Sequence, residues 1–168
     1  MRLRIAGTLL TISCVLWGTW FGGQFFNEAR VIPRWLSSPP DSMRAYDAIP
    51  AEGGFPFFLL NPFFFLFAAA AAAAAWKWAE RSRKWLLLSA LTAFAVCLSL
   101  ILYLAPLIVG MSRHAVAGDL PAAEIAAGVE TWKLGNRIRL AFELFGFACS
   151  VTALRVWAAE AGRALAPR

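Results

Sequence analysis

The chain has 168 residues, 60% of them hydrophobic and only 15% charged, whereas soluble domains average about 45–50% apolar and about 25% charged. The apolar residues fall in long runs, which excludes an ordinary soluble domain and points to a membrane protein. The formal charge of +6 comes from basic residues at the ends of those runs, a pattern of membrane anchors and not of a nucleic-acid surface.

A single histidine excludes a bis-His haem or a multi-His metal site within one chain. Cys14, Cys97 and Cys149 each lie inside an apolar run and lack metal spacing. They read as small packing residues, so neither a disulfide framework nor a zinc site is expected. The expectation is no cofactor and no metal.

After the basic start at Arg2 and Arg4, residues 5–26 form an apolar run long enough to span. A cleaved signal peptide would have a shorter core and a small-residue cleavage site. Gly18 and Gly22 make a G-x-x-x-G pair, which reads either as a close helix approach or as chance. The exit is polar, through Gln24, Asn27, Glu28 and Arg30 to Pro33. In the following loop, Pro39-Pro40-Asp41-Ser42 signals a helix start. A short amphipathic helix over 42–49 is expected, offering Met43, Ala45 and Tyr46 to the membrane surface.

The second span is expected over 55–76. Its first half is rich in Phe and carries Asn61-Pro62, where the proline bends the helix. Its second half is the run Ala68 to Ala75, thin enough for neighbouring helices to come close. Trp76, Trp78 and Trp85 bracket the charged turn Lys77 to Lys84 as an aromatic belt. The third span is expected over 85–108, ended by Pro106 and Gly110. The next loop carries His114, read as solvated, and a short helix from Asp119-Leu120-Pro121 to about Val129. The fourth span is expected over 136–158.

Orientation follows from counting Lys and Arg. Nine lie in the two tails and the turn between spans two and three, and seven lie in the long loops and the entry to span four. The tight Lys77–Lys84 turn is the strongest local signal. The sequence therefore predicts an all-α protein, one antiparallel four-helix membrane bundle covering 1–168. Two extracytoplasmic loops carry short helices, and both termini are cytoplasmic. The expected location is the bacterial cytoplasmic membrane. The expected partners are membrane lipid, a hydrophobic small molecule, and a second copy or a membrane partner subunit, with no nucleic acid.

The fourth span carries Asn136, Arg139 and Glu143, which fall within roughly a 60° arc at 100° per residue. Trp132 lies along the same edge. Ionisable residues inside a span face protein or water. With Gln24, Asn27, Glu28 and Arg30 at the exit of span one and Asn61 in span two, they are expected to line one outward-facing pocket. Two readings stay open at this point. Arg139 and Glu143, four apart, make a helix-locking ion pair, or they form a site in which a desolvated Glu143 moves protons.

Several stretches carry a resemblance. They are GGQFFNEARVIPRW at the end of span one, MRAYDAIP after it, Asn61-Pro62, and the spacing W-x-x-x-N-x-x-R of Trp132, Asn136 and Arg139. In these the chain resembles the anthrone-oxygenase-like family of small four-span membrane proteins, long catalogued as a domain of unknown function. The family pattern has Asn-His-x-Arg; here the histidine position is Arg137. The resemblance implies oxidation of a small electron-rich aromatic or quinone-like molecule without metal or flavin. Glu143 would be the base and Arg139 the anion stabiliser, both catalytic. Trp132, Asn136, Asn61 and Asn27 would bind substrate. The alternative is a non-catalytic structural or accessory membrane subunit, packing through its Ala, Gly and Phe faces. A small transporter ranks lower, because no internal repeat is visible.

Overall fold

A computed structural model describes residues 2–48, 61–76 and 80–165, with side chains outside the description at 2–4, 61, 62, 64 and 163–165. Every regular element among the described residues is helical. In chain order they are α1 (Arg2–Phe26), a π-turn (Asn27–Val31), α2 (Ile32–Trp35), α3 (Asp41–Asp47), α4 (Asn61–Ala75), α5 (Arg83–Ser99), a second π-turn (Leu100–Leu104), α6 (Ala105–Ala117) and α7 (Ala122–Leu165). Three stretches are long and apolar enough to cross a membrane: Ile5–Trp35, Arg83–Ala117 and Ala122–Gly162. The shorter apolar helix Phe65–Ala75 belongs to the expected second span, whose start at 55–60 lies outside the described residues.

The spans are longer than the sequence suggests, because neither proline ends its helix. Pro33 and Pro106 each stand second in the segment that follows a π-turn. Proline has no N–H to donate, and its ring crowds the carbonyl four residues back. In both places the backbone instead closes i→i−5 bonds, Ile32 N–H to Asn27 and Ala105 N–H to Leu100. The extra residue widens the turn and the helix runs on.

That extra residue has a measurable effect on which side chains turn inward. In and just before α5, Ser82, Leu86, Ser89, Ala93 and Val96 are buried, alternately four and three apart. Continuing this spacing would bring Tyr103 and His114 inward. Instead Leu104, Ile108 and Ala115 are buried, and Tyr103 is 53% exposed. The same happens on α1. Ala6, Leu10, Ser13, Trp17 and Trp20 keep the alternating spacing, and past the π-turn Ile32 is buried where Val31 was due. Each π-turn thus advances the inward seam by one residue.

The expected short helix at 121–129 and the fourth span are one continuous helix, α7. Gly118 stops α6 in the left-handed conformation (φ 69°), its N–H on the His114 carbonyl. The chain then starts afresh at Pro121. Along α7 the buried residues are Ile125, Val129, Trp132, Asn136, Arg139, Glu143, Gly146, Ser150 and Ala153, again alternately four and three apart, with Cys149 beside them. This is a 3.5-residue seam, the pattern of coiled-coil packing. Gly128 and Gly135 do not break it. A methyl on either would meet Met111 Sδ at 2.5 Å or Leu104 Cδ2 at 2.8 Å.

The chain divides into two compact units. The first comprises Met1–Gly22, Phe57–Cys97 and Ala141–Arg168. Its core joins Ala6 and Leu10 of α1, Ala71, Ala72 and Ala75 of α4, Leu86 of α5 and Ala153 of α7. The alanine run is therefore used inside the chain, and close packing there follows from its lack of bulk. The tight glycine contacts are Gly7 under the Trp157 ring and Gly146 under Trp17. Gly18 of the G-x-x-x-G pair has only ordinary room beside Phe147, and Gly22 meets nothing within 4 Å.

The second unit comprises Gly23–Pro56 and Leu98–Leu140. Its core holds Ile32, Leu36, Met43, Leu104, Ile108, Ala115, Ile125, Val129 and Trp132. α3 matches the expected short helix, but Met43 turns into this core with no exposure, while Ala45 and Tyr46 stay outside. Arg44 holds α3 to α6 by donating from Nε to the Ala115 carbonyl, and Ser112 donates to Asp47. His114 contacts Asp119 Oδ1 at 2.9 Å.

Candidate functional site

The polar residues of α7 occupy inward seam positions, where apolar side chains would pack by default. In the second unit they form a continuous network with the end of α1. Arg139 Nη2 donates to Gln24 Oε1 and to Asn136 Oδ1, both at 2.8 Å. Asn136 Nδ2 donates to Glu28 Oε2 at 2.9 Å, and Arg137 Nε donates to Glu28 Oε1 at 2.8 Å. Asn136 and Arg139 are buried, Glu28 is mostly so, and the Arg137 side chain is 68% exposed. Glu28 is paired with the Arg137 guanidinium, and the Arg139 guanidinium is held by the amide oxygens of Gln24 and Asn136. The bonds of the network are charge-assisted, the stronger class.

One turn before Asn136, Trp132 sits in the apolar core with its ring edge-on to Trp35, centroids 6.2 Å apart. Trp35 also packs against Tyr46 at 5.7 Å. The indole nitrogens of both tryptophans are buried and have no acceptor among the described residues. Buried indole N–H groups ordinarily find one.

Glu143 belongs to the first unit. It is fully buried, and its Oε1 accepts the Trp20 indole N–H at 2.8 Å. Nearby in that unit, Trp17 donates to Ser89 Oγ at 3.0 Å, and Cys14 Sγ lies 3.1 Å from Ser150 Oγ. The structure thus brings Trp132, Asn136 and Arg139 into one unit and assigns Glu143 to the other. Asn27 is half-buried in the first π-turn and stands outside the network. Asn61 begins α4, and its side chain lies outside the described residues.

Sequence reasoning missed two residues, Trp20 and Trp35. Trp20 falls on the inward seam of α1, three after Trp17, a signal the alternating spacing carries. Trp35 lies inside the stretch that carries the family resemblance. Arg137, exposed beside the seam, is tied to Glu28. Among the described residues no three His, Cys, Asp or Glu side chains gather as metal ligands. The chain matches no protein-family model, no curated protein and no solved structure.

Proposed function

We propose that the chain is a four-span membrane enzyme of the anthrone-oxygenase-like kind. It binds a small hydrophobic aromatic or quinone-like molecule and oxidises it with dioxygen, without a cofactor. The observation that carries this reading is the pair of buried indole donors, Trp35 and Trp132, which have no acceptor among the described residues and lie one turn from the Asn136–Arg139 network. A flat apolar molecule with a ring carbonyl supplies what that cluster lacks. Its rings pack on tryptophan faces and its oxygen accepts the N–H groups.

The chemistry follows from the substrate class. A base takes one proton from the ring methylene of an anthrone. The negative charge spreads onto the carbonyl oxygen, where N–H donors and the Arg139 guanidinium favour it. Dioxygen adds to the carbanion carbon, forming a C–O bond. The O–O bond then breaks with loss of the second C–H proton. Methylene and dioxygen become a carbonyl and one water. Within the second unit the base candidate is Glu28, which Asn136 and Arg137 hold.

The test is dioxygen-dependent anthraquinone formation from an anthrone by the purified chain in detergent. Arg139→Lys and Glu28→Gln each abolish turnover while the protein still elutes as the wild type does. Wild-type protein without turnover above the detergent blank sinks the reading. So does loss of activity only together with loss of assembly. A second reading has its own observation: Gln24, Glu28, Asn136, Arg137 and Arg139 are joined side chain to side chain across two helical segments, as in a helix lock. Under that reading the chain is an accessory subunit, and a partner co-purifies in mild detergent.

A further inference from the structure

The first unit holds an open cavity of about 680 Å³ beside the charged turn that precedes α5. That is within the roughly 300–1,000 Å³ span of small-ligand sites. Arg81, Arg83 and Lys84 line it against a single lining carboxylate, Glu80. Its remaining wall is apolar, from Trp85 of α5 and from Val156 and Ala159 of α7. The cations are held differently. Arg83 is fixed by donating to the Trp76 carbonyl and by standing over the Trp76 ring at 5.6 Å. Lys84 lies over the Trp85 ring at 5.2 Å. Arg81 uses its backbone N–H on Glu160 Oε1, and its guanidinium has no partner among the described residues.

We propose that this cavity binds the phosphate headgroup of an anionic membrane phospholipid. The cations meet the phosphate, and the Trp85, Val156 and Ala159 wall takes the apolar part that follows it. Three features select this occupant. The lining has three cations to one carboxylate, and even with Glu160 counted it remains positive. Trp76, half exposed at the end of α4, and Trp85 near the start of α5 are the aromatic residues expected at headgroup depth. Basic pockets at the ends of membrane helices recognise anionic headgroups by this combination of charge and wall. The proposal rests on the chain crossing a membrane and is independent of the oxidation chemistry.

The full-length chain is reconstituted in vesicles of equal phosphatidylglycerol and phosphatidylcholine, re-extracted in mild detergent, and its retained lipid is measured by mass spectrometry. Phosphatidylglycerol is expected several-fold enriched over phosphatidylcholine. Arg81→Ala with Lys84→Ala brings the ratio to parity, and Arg81→Lys with Lys84→Arg keeps the enrichment. Both pairs change exposed side chains, and circular dichroism verifies that the helices persist. Parity in the wild type, or enrichment unchanged by the double alanine variant, overturns the site. Displacement of the lipid by millimolar glycerol phosphate overturns the lipid as occupant in favour of a soluble phosphate. Failure of the chain to remain in carbonate-washed membranes overturns the membrane reading itself.

Discussion

The indole N–H of Trp20 donates to Oε1 of Glu143 at 2.8 Å, and the two side chains are 1% and 0% exposed. A buried carboxylate is costly unless donors surround it. Trp20→Phe keeps the ring and removes one donor. It is expected to cost about 1.5–3 kcal/mol, the range for hydrogen bonds to charged groups. Glu143→Gln keeps an oxygen for the indole and costs less. Thermal unfolding in detergent reads the order. A Trp20→Phe protein that melts with the wild type shows that the bond contributes nothing.

The Glu28 network makes an unequal pair of its two arginines. Arg137 reaches Glu28 from an exposed position, and exposed ion pairs contribute little. Arg139 is buried and bonded to Gln24 and Asn136. Arg137→Ala is therefore expected to leave the melting temperature nearly unchanged. Arg139→Ala is expected to cost about 1.5–3 kcal/mol, the range for hydrogen bonds to a charged group. The same unfolding measurement on both variants checks the contrast, and equal losses would refute it.

Asn136, Arg139 and Glu143 were legible in the sequence because polar residues at helical spacing stand out in an apolar run. The polar exit of span one, Gln24 and Glu28 included, was expected at the same pocket, but its specific partners were not legible. Glu28 meets Asn136 and Arg137 from more than a hundred residues away, and no local pattern encodes that pairing. Pro33 and Pro106 misled for a different reason. A proline ends a helix only when the backbone cannot widen around it, and here a π-turn precedes each one. The signal was available as a skip in the inward spacing, from Val96 to Leu104. The alanine run showed only that something could pack closely. That Ala71, Ala72 and Ala75 pack against this chain's own α1, α5 and α7 is a tertiary fact.

Glycines in these helices separate into two kinds. A methyl at Gly146 would run into the Trp17 ring, and one at Gly7 into Trp157. The Trp17 ring is fully buried, and the Trp157 ring packs against the core of the first unit. Gly146→Ala is expected to cost about 1–3 kcal/mol, as overpacking does. Gly22 and Gly110 meet nothing within 4 Å, so alanine there is expected to stabilise by about 0.5–1 kcal/mol through helix propensity. Opposite signs for Gly146→Ala and Gly110→Ala in thermal unfolding are the check.

The second π-turn can be tested as an insertion. It shifts the inward seam by one residue, so Leu104, Ile108 and Ala115 reach the core only because of it. Deleting Leu102, which is 68% exposed, removes one residue without removing an inward side chain. An α-turn then closes where the π-turn was, and the same three residues stay inward. The deletion is expected to fold, whereas adding an alanine beside Leu102 turns Tyr103 inward and unfolds the second unit. Size-exclusion profiles and melting curves distinguish the two.

Trp132 offers the sharpest test of the proposed site, because stability and binding move in opposite directions there. Its indole N–H is buried, with no acceptor among the described residues. A polar group in that state costs about 1–3 kcal/mol of desolvation. Trp132→Phe keeps an aromatic ring against Trp35 and removes the donor. Part of what is gained is offset by the smaller ring, which leaves some of the pocket unfilled. Trp35→Phe is the companion variant, since the Trp35 nitrogen is orphaned in the same way. Without ligand, either variant is expected to melt at or above the wild-type temperature. With an anthraquinone added, the wild type gains a ligand-dependent rise in melting temperature. Each variant is expected to lose most of that rise, because the ligand oxygen no longer finds its donor. If the wild type shows no rise, or the variants rise as much as it does, the orphaned nitrogens do not mark a binding site.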